Sequence, residues 1–96
     1  MKTRTINKNN WSGEEGTYKF DDTTVVINDE TFKLKHNINE ELDLEWYDVF
    51  HREKSGDRKV FSINKFGNQW VAEECGVQRE SDNPYDVVAE MFWNLF

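Results

Sequence analysis

The sequence is short of cysteine, proline and apolar runs, and each shortage excludes a class of protein. Its one cysteine, Cys75, cannot form the disulfide framework of a small secreted domain. No segment approaches the roughly 20 apolar residues of a membrane-spanning helix, and residues 1–10 lack the apolar stretch of a signal peptide. We therefore expect a cytoplasmic protein that makes no contact with a membrane.

Positive charge is also scarce, since 12 Lys and Arg residues stand against 19 Asp and Glu residues, for a net charge of −7. A field of that sign repels nucleic acid and attracts basic protein surfaces. A basic patch at residues 52–59 is diluted by Glu53 and Asp57, which is typical of a solvated loop. We expect a protein partner and no direct contact with nucleic acid. The alternative is that the excess acid only keeps a small protein soluble.

Motifs for catalysis and for cofactors are missing. The sequence has no phosphate loop, dinucleotide fingerprint or calcium loop. Cys75, His36 and His51 lie in no recognisable catalytic motif, and their spacing does not fit a zinc site. We expect no enzyme activity, no cofactor and no bound metal. A small enzyme that uses His51 or Cys75 is the alternative.

The chain is long enough for one domain, which we place at residues 11–96 behind a mobile N-terminal arm at residues 1–10. Apolar and polar residues alternate, or β-branched residues run together, in several short segments separated by Asx-rich or Gly-containing turns. Such segments predict the strands of a meander. They lie at residues 17–20, 24–27, 32–35, 59–63 and 70–72.

A helix is predicted at the C-terminal end of the sequence. Asn83 is a good N-cap, and Pro84 suits the first helical position. Apolar residues at 87, 88, 91, 92 and 95 recur at helical spacing, and this stripe must cover the sheet. Trp93 and Phe96 point away from the stripe and are left for the sheet edge or for a partner. The predicted fold class is α+β, an antiparallel β-meander of four to six strands with one C-terminal helix packed on the sheet.

Residues 39–54 fit two structures. Leu42, Leu44 and Trp46 alternate with acids, which favours a strand, but Leu42, Trp46, Val49 and Phe50 also share one helical face. We prefer a strand, because the turn and β-rich run that follow need a strand before them.

On a strand, the acids of this segment have a useful geometry. Glu41, Asp43 and Glu45 would line one face at intervals of about 6.6 Å, close to the spacing of phosphates along a nucleic-acid strand. Such a row would fit a basic cleft built for nucleic acid. An ordinary solvated strand face is the alternative. The candidate partner-binding residues are Glu40, Glu41, Asp43, Glu45, Asp48, Asp21 and Asp22.

A short segment resembles a known family. Trp11-Ser12-Gly13, followed by the run from Gly16 to Ile27, is similar to the hairpin of small acidic phage anti-CRISPR proteins that imitate DNA. The resemblance implies a class of activity, namely blocking a nuclease complex in the cytoplasm of a bacterial host.

The function we expect is therefore a phage-type protein inhibitor of a bacterial defence nuclease, such as a CRISPR effector. It would bind a basic nucleic-acid-binding or target-recognition surface through its acidic residues. Two alternatives stay open. One is a self-associating phage structural or assembly protein, which would form a homodimer through Trp93 and Phe96. The other is a domain that binds a small ligand between helix and sheet.

Overall fold

The structure, a computed structural model, describes residues 1–8 and 13–95. Within these residues, one antiparallel sheet of eight strands in chain order is followed by one helix. The sheet curls into a half-barrel with the helix packed against it, which confirms the predicted α+β class. The elements are β1 (Lys2–Asn7), β2 (Glu15–Phe20), β3 (Thr24–Ile27), β4 (Glu30–Asn39), β5 (Leu44–Glu53), β6 (Gly56–Phe66), β7 (Gln69–Glu74), β8 (Val77–Ser81) and α1 (Pro84–Leu95).

The described residues hold eight strands, where the sequence predicts four to six. The additional strands are the two edges, β1 and β8. Their sequences, KTRTIN and VQRES, contain one apolar residue each, so they show no apolar alternation. Polar edge strands are common, because they discourage pairing with other chains. The prediction of a mobile arm is therefore wrong for Lys2–Asn7, which pair along their length with β2. Residues 9 and 10 of that arm lie outside the described residues.

Residues 44–53 form β5, so the strand interpretation of the ambiguous segment is confirmed and the helix alternative is wrong. The strand pairs with β4 on one side and with β6 on the other. These two ladders satisfy its backbone donors and acceptors, and this outweighs the helical spacing of its apolar residues.

The core lies between the concave face of the sheet and α1, which packs against β8, β7 and β3. Alternate residues of the strands point to this face, as the period of two requires. Asn83 caps the helix, because its Oδ1 accepts a hydrogen bond from the Tyr85 amide at 2.9 Å. The buried apolar residues are Tyr18, Val25, Ile27, Phe32, Leu34, Val49, Phe61, Ile63, Trp70, Ala72, Val87, Val88, Ala89 and Met91.

One buried carboxylate links three elements. Asp86, in the first turn of α1, is only 6% exposed. Arg4 of β1 donates two hydrogen bonds to it, from Nε to Oδ1 at 2.9 Å and from Nη2 to Oδ2 at 2.8 Å. The Tyr18 hydroxyl of β2 donates a third. Burial, and then this hydrogen bond to Asp86, raise the pKa of Tyr18. We call these three residues the Asp86 clamp.

The Asp86 clamp predicts energetic coupling across the fold. We expect Asp86→Asn and Arg4→Gln each to lower the free energy of unfolding by about 1–3 kcal/mol, since each leaves a polar partner without its ion pair. Because both remove one interaction, the double variant should lose less than the sum of the two. Urea denaturation of the four proteins measures the coupling. Strict additivity would show that Arg4 and Asp86 do not stabilise the fold as a pair.

Trp93 lies against a glycine, which explains a residue that falls outside the helical stripe. A Cβ placed on Gly16 would lie 2.4 Å from Cζ2 of Trp93, well inside van der Waals contact. The Trp93 ring also meets Tyr18 edge to face, with centroids 6.5 Å apart. Trp93 thus packs on β2, the strand next to the edge strand β1. Phe96, the other residue predicted to lie at the sheet edge or to contact a partner, lies outside the described residues.

This contact makes Gly16 sensitive to the smallest side chain. We expect Gly16→Ala to destabilise the protein by roughly 1–3 kcal/mol, because the indole must move out of a packed site. Combining it with Trp93→Leu should remove most of this additional cost, since the smaller side chain makes room for the methyl group. Thermal unfolding of Gly16→Ala in both backgrounds measures this. An equal penalty in the two backgrounds would contradict the contact.

Candidate protein-binding surface

The turn between β4 and β5 is built by its own polar residues. Asn39 Oδ1 accepts a hydrogen bond from the Leu42 amide at 3.2 Å, and the Asp43 amide donates to the Glu40 carbonyl at 3.3 Å. Asp43 has a φ of 53°, in the left-handed region that Asp tolerates better than most residues. The sequence Asn-Glu-Glu-Leu-Asp therefore closes β4 and β5 at the Asn39–Leu44 pair.

This turn corrects the predicted carboxylate row. Glu41 and Asp43 lie in the turn, so they do not alternate along a strand face with Glu45, which lies in β5. Glu40, Glu41 and Asp43 are exposed and make no ion pair with any residue that the structure describes. The sequence thus identified three exposed acids of one surface but gave them the wrong spacing.

Large apolar side chains are exposed around these acids. Leu44 precedes Trp46 by two residues, and Trp46 pairs with Asn64, so continuing the register brings Leu44 beside Phe66. Exposed apolar residues that lie together on a small protein mark an interaction site. We call residues 38–45 together with Phe66 the hairpin tip. Its exposed apolar side chains are Leu44 (48%) and Phe66 (65%) on one face of the sheet, Ile38 (59%) on the other face, and Leu42 (67%) in the turn.

Glu45 lies at the base of the hairpin tip and is held by basic neighbours. His36 Nε2 lies 2.7 Å from Glu45 Oε2, and Lys65 Nζ lies 3.4 Å from Oε1. The hydrogen bond with His36 is the main cause of the lowered pKa of Glu45, with Lys65 adding to it. The Glu45 carboxylate is therefore negatively charged, but its contacts with His36 and Lys65 partly neutralise it.

Asp48 does not belong to the same surface. It lies in β5 with a side chain only 20% exposed, and its oxygens lie 2.8 Å from Ser62 Oγ and 3.1 Å from Lys59 Nζ. Burial raises its pKa, but the hydrogen bonds from Ser62 and Lys59 outweigh this, and the net shift is downward. Asp48 is thus a satisfied residue of the sheet face opposite to Glu45.

Asp21 and Asp22 lie in the β2–β3 turn, at the same end of the sheet as the hairpin tip. Asp21 Oδ1 accepts from the Thr23 amide at 3.0 Å, so this residue shapes its own turn. Burial raises the pKa of Tyr47, and the charges of Glu45 and Asp22 raise it further. The two turns therefore contribute to one negative region, although Asp21 and Asp22 are set back from the hairpin tip.

The apolar part of this surface was not predicted. The alternation of Leu42 and Leu44 with acids predicted a strand, and no pattern singled out Ile38 or Phe66. The signal that reveals the turn is the Asx residue, Asn39, three positions before Leu42, followed by an Asp that accepts a left-handed φ. Because residues 40–43 form a turn, the Leu42 side chain does not lie on a strand face and does not reach the core.

The residues of the enzyme alternative lie apart from the hairpin tip. His51 Nε2 is 2.6 Å from Glu30 and its Nδ1 is 3.1 Å from Glu53. The hydrogen bond with Glu30 is the main cause of its raised pKa, which favours the protonated ring. Cys75 is exposed in the β7–β8 turn, and its thiol donates to Glu74 at 3.6 Å.

Comparison of the chain with protein-family models, with curated proteins and with solved structures finds no match. Among residues 1–8 and 13–95, no three His, Cys, Asp or Glu side chains form a group that could hold a metal ion. The helix of this part of the chain is too short to cross a membrane.

Glu90, on α1 near β8, is the acid whose titration the fold changes most clearly. Burial raises its pKa from 4.5 to about 7, while Arg79 opposes the shift and Asp86 adds to it. Because the folded pKa is the higher one, the fold favours the neutral carboxyl of Glu90 over the ionised one. The stability that depends on protonation is fully present below pH 4.5 and is lost as the pH rises through about 7.

We therefore expect Glu90→Gln, which stays neutral, to raise the melting temperature at pH 8 by more than at pH 4.5. Circular dichroism melts at the two pH values measure the difference, and Glu80→Gln, an exposed acid of β8, is the control. A gain in melting temperature that is the same at both pH values would mean that ionisation of Glu90 does not destabilise the folded state.

Proposed function

We propose that this protein is a phage-type inhibitor of a bacterial defence nuclease, and that it docks through the hairpin tip on a basic nucleic-acid-binding or target-recognition surface of its target. The observation that supports this most directly is the combination of Glu40, Glu41 and Asp43 with exposed Leu42 and Phe66. The nuclease target comes from the sequence resemblance and from the acidic character of the chain.

The chemistry of the tip defines the kind of partner surface. Three carboxylates that make no ion pair within residues 1–8 and 13–95 are available to steer association with a basic surface and to pair with Lys or Arg at its rim. The apolar side chains between them would fill a hydrophobic depression, where desolvated contacts supply most of the binding energy. This differs from imitation of DNA by charge alone, because the partner must offer an apolar contact inside a basic rim.

Self-association through the same apolar residues is less favourable. Two copies that dock tip to tip would bring their Glu40, Glu41 and Asp43 carboxylates together, and like charges at an interface oppose association. The homodimer alternative predicts an average molecular mass in solution that rises with protein concentration. Analytical ultracentrifugation at several protein concentrations measures this mass. A concentration-dependent dimer that Leu42→Ser abolishes would favour the homodimer over the inhibitor.

The inhibitor proposal is tested by expressing the protein in bacterial strains that each carry one defined nuclease defence, including several CRISPR effectors. Each strain is infected with a phage that its defence targets, and the plaques are counted. We expect the protein to restore plaques in at least one strain. Glu40→Lys/Glu41→Lys/Asp43→Lys should then weaken binding to the purified target roughly tenfold or more and should restore immunity.

The matched control is Glu73→Lys/Glu74→Lys/Glu80→Lys, which makes the same change in net charge on exposed acids of β7 and β8. It should inhibit as the unaltered protein does. Equal loss in the two triple variants would mean that net charge alone acts, and the hairpin tip would then have no special role. No protection in any strain would contradict the proposed function itself.

A further inference from the structure

The sheet face opposite α1, which we call the outer face, carries aromatic and basic side chains in cross-strand rows. Val49 points to the core, so its neighbours along β5, Asp48 and Phe50, point outward. The β4–β5 and β5–β6 registers then set three rows across the strands. They are Lys33–Phe50–Lys59, Lys35–Asp48–Ser62 and Asn37–Trp46–Asn64.

A groove lies at one side of the first row. It has a volume of about 430 Å³, and it is lined by Thr23, Thr24, Lys33, Leu34, Lys35, Phe50 and Asp57. This volume is within the range of small-molecule sites, which combine an apolar wall with a few polar groups. The Phe50 ring, half-buried, forms the apolar wall, and the polar groups are the two lysines, the threonine hydroxyls and the Asp57 carboxylate, which is paired with Lys33.

The β4–β6 part of the outer face is locally positive although the chain carries a net charge of −7. Two of its lysines are paired, Lys59 with Asp48 at 3.1 Å and Lys33 with Asp57 at 3.4 Å. Lys35 makes no ion pair with any described residue. With Arg52, which pairs with Asp57 in the register, four bases face two acids on these three strands, and the difference is +2. The other strands of this face add more acids than bases, so the positive excess is confined to β4–β6.

We propose that the outer face binds single-stranded nucleic acid. One base stacks on Phe50 in the groove, and the phosphates on either side contact Lys33, Lys35 and Lys59. Trp46 offers a second ring further along β5, and a hydrogen bond to Asp48 orients it. Aromatic side chains set among basic ones are the platform that proteins use for single strands, because bases stack on the rings and lysines follow the backbone.

Charge and ring chemistry together select this ligand over an acidic polypeptide. An acidic polypeptide would use the lysines but would leave the Phe50 and Trp46 rings without a stacking partner. This proposal does not rest on the inhibitor function, because it uses the outer face and not the hairpin tip.

The test is to measure the Kd for 5′-fluorescein-labelled oligo(dT) and oligo(U) 12-mers by fluorescence anisotropy at several NaCl concentrations between about 50 and 200 mM, the range over which salt weakens binding to single strands. With three phosphate contacts, log Kd should rise with log salt concentration with a slope of about 2. Phe50→Leu keeps an apolar side chain but removes the ring, and it should weaken binding about fivefold or more. Lys33→Gln/Lys35→Gln should weaken binding and lower the slope by about 1.4.

The matched control is Lys2→Gln/Lys65→Gln, which changes net charge equally but leaves the outer face intact; Lys65 lies over the Trp70 ring on the other side of the sheet. It should bind as the unaltered protein does. The lysine variants change only surface residues, so they decide the matter even if Phe50→Leu unfolds. No saturable binding at 50 mM NaCl, or equal weakening in the two lysine variants, would overturn the proposal. Competition by polyglutamate as strong as by unlabelled oligonucleotide would also overturn it, in favour of an acidic polypeptide.

Discussion

Asp86 holds together parts of the protein that the meander alone would leave apart. A sheet whose strands pair in chain order has its first and last strands at opposite edges, and only the helix that follows can bridge back across it. Asp86 binds Arg4 of β1 and Tyr18 of β2 from the first turn of α1. The carboxylate therefore fixes the helix over the concave face, and the polar strand β1, which buries little apolar surface, remains in the sheet.

The position of α1 also decides which residues are left exposed. The helix is 12 residues long and packs on β8, β7 and β3, while β4, β5 and β6 have 10, 10 and 11 residues. Strand β3 pairs only with residues 30–33 of β4, so the rest of the β4–β5 hairpin runs beyond it. Leu42 and Leu44 are exposed because they lie at the far end of strands that are longer than the layer that covers them.

The sequence was sufficient for those elements whose local pattern and tertiary role agree. The helix is marked by Asn83 and Pro84 and by its apolar spacing, and β2 to β7 by alternation and by turn residues. The edges β1 and β8 could not be found this way, because β1 is held by backbone pairing and the Asp86 clamp, and β8 by pairing with β7 and by packing on α1. Neither arrangement leaves an apolar pattern in the sequence. For the candidate site, the acids were identified, but the apolar residues were assigned to the core, since alternation does not say where the core ends.

Net charge does not describe the surfaces that a partner meets, because folding separates charges that the sequence mixes. The acids of residues 40–43 collect in a turn, where no strand neighbour can neutralise them. Lys33 and Lys59 are 26 positions apart in the printed sequence, yet the register places them on either side of one ring, Phe50. A chain with a net charge of −7 thus presents a negative tip and, across β4–β6, a locally positive part of the outer face. Because potentials near a surface are set within about 10 Å at 0.1 M salt, a partner responds to these local surfaces and not to the sum over the chain.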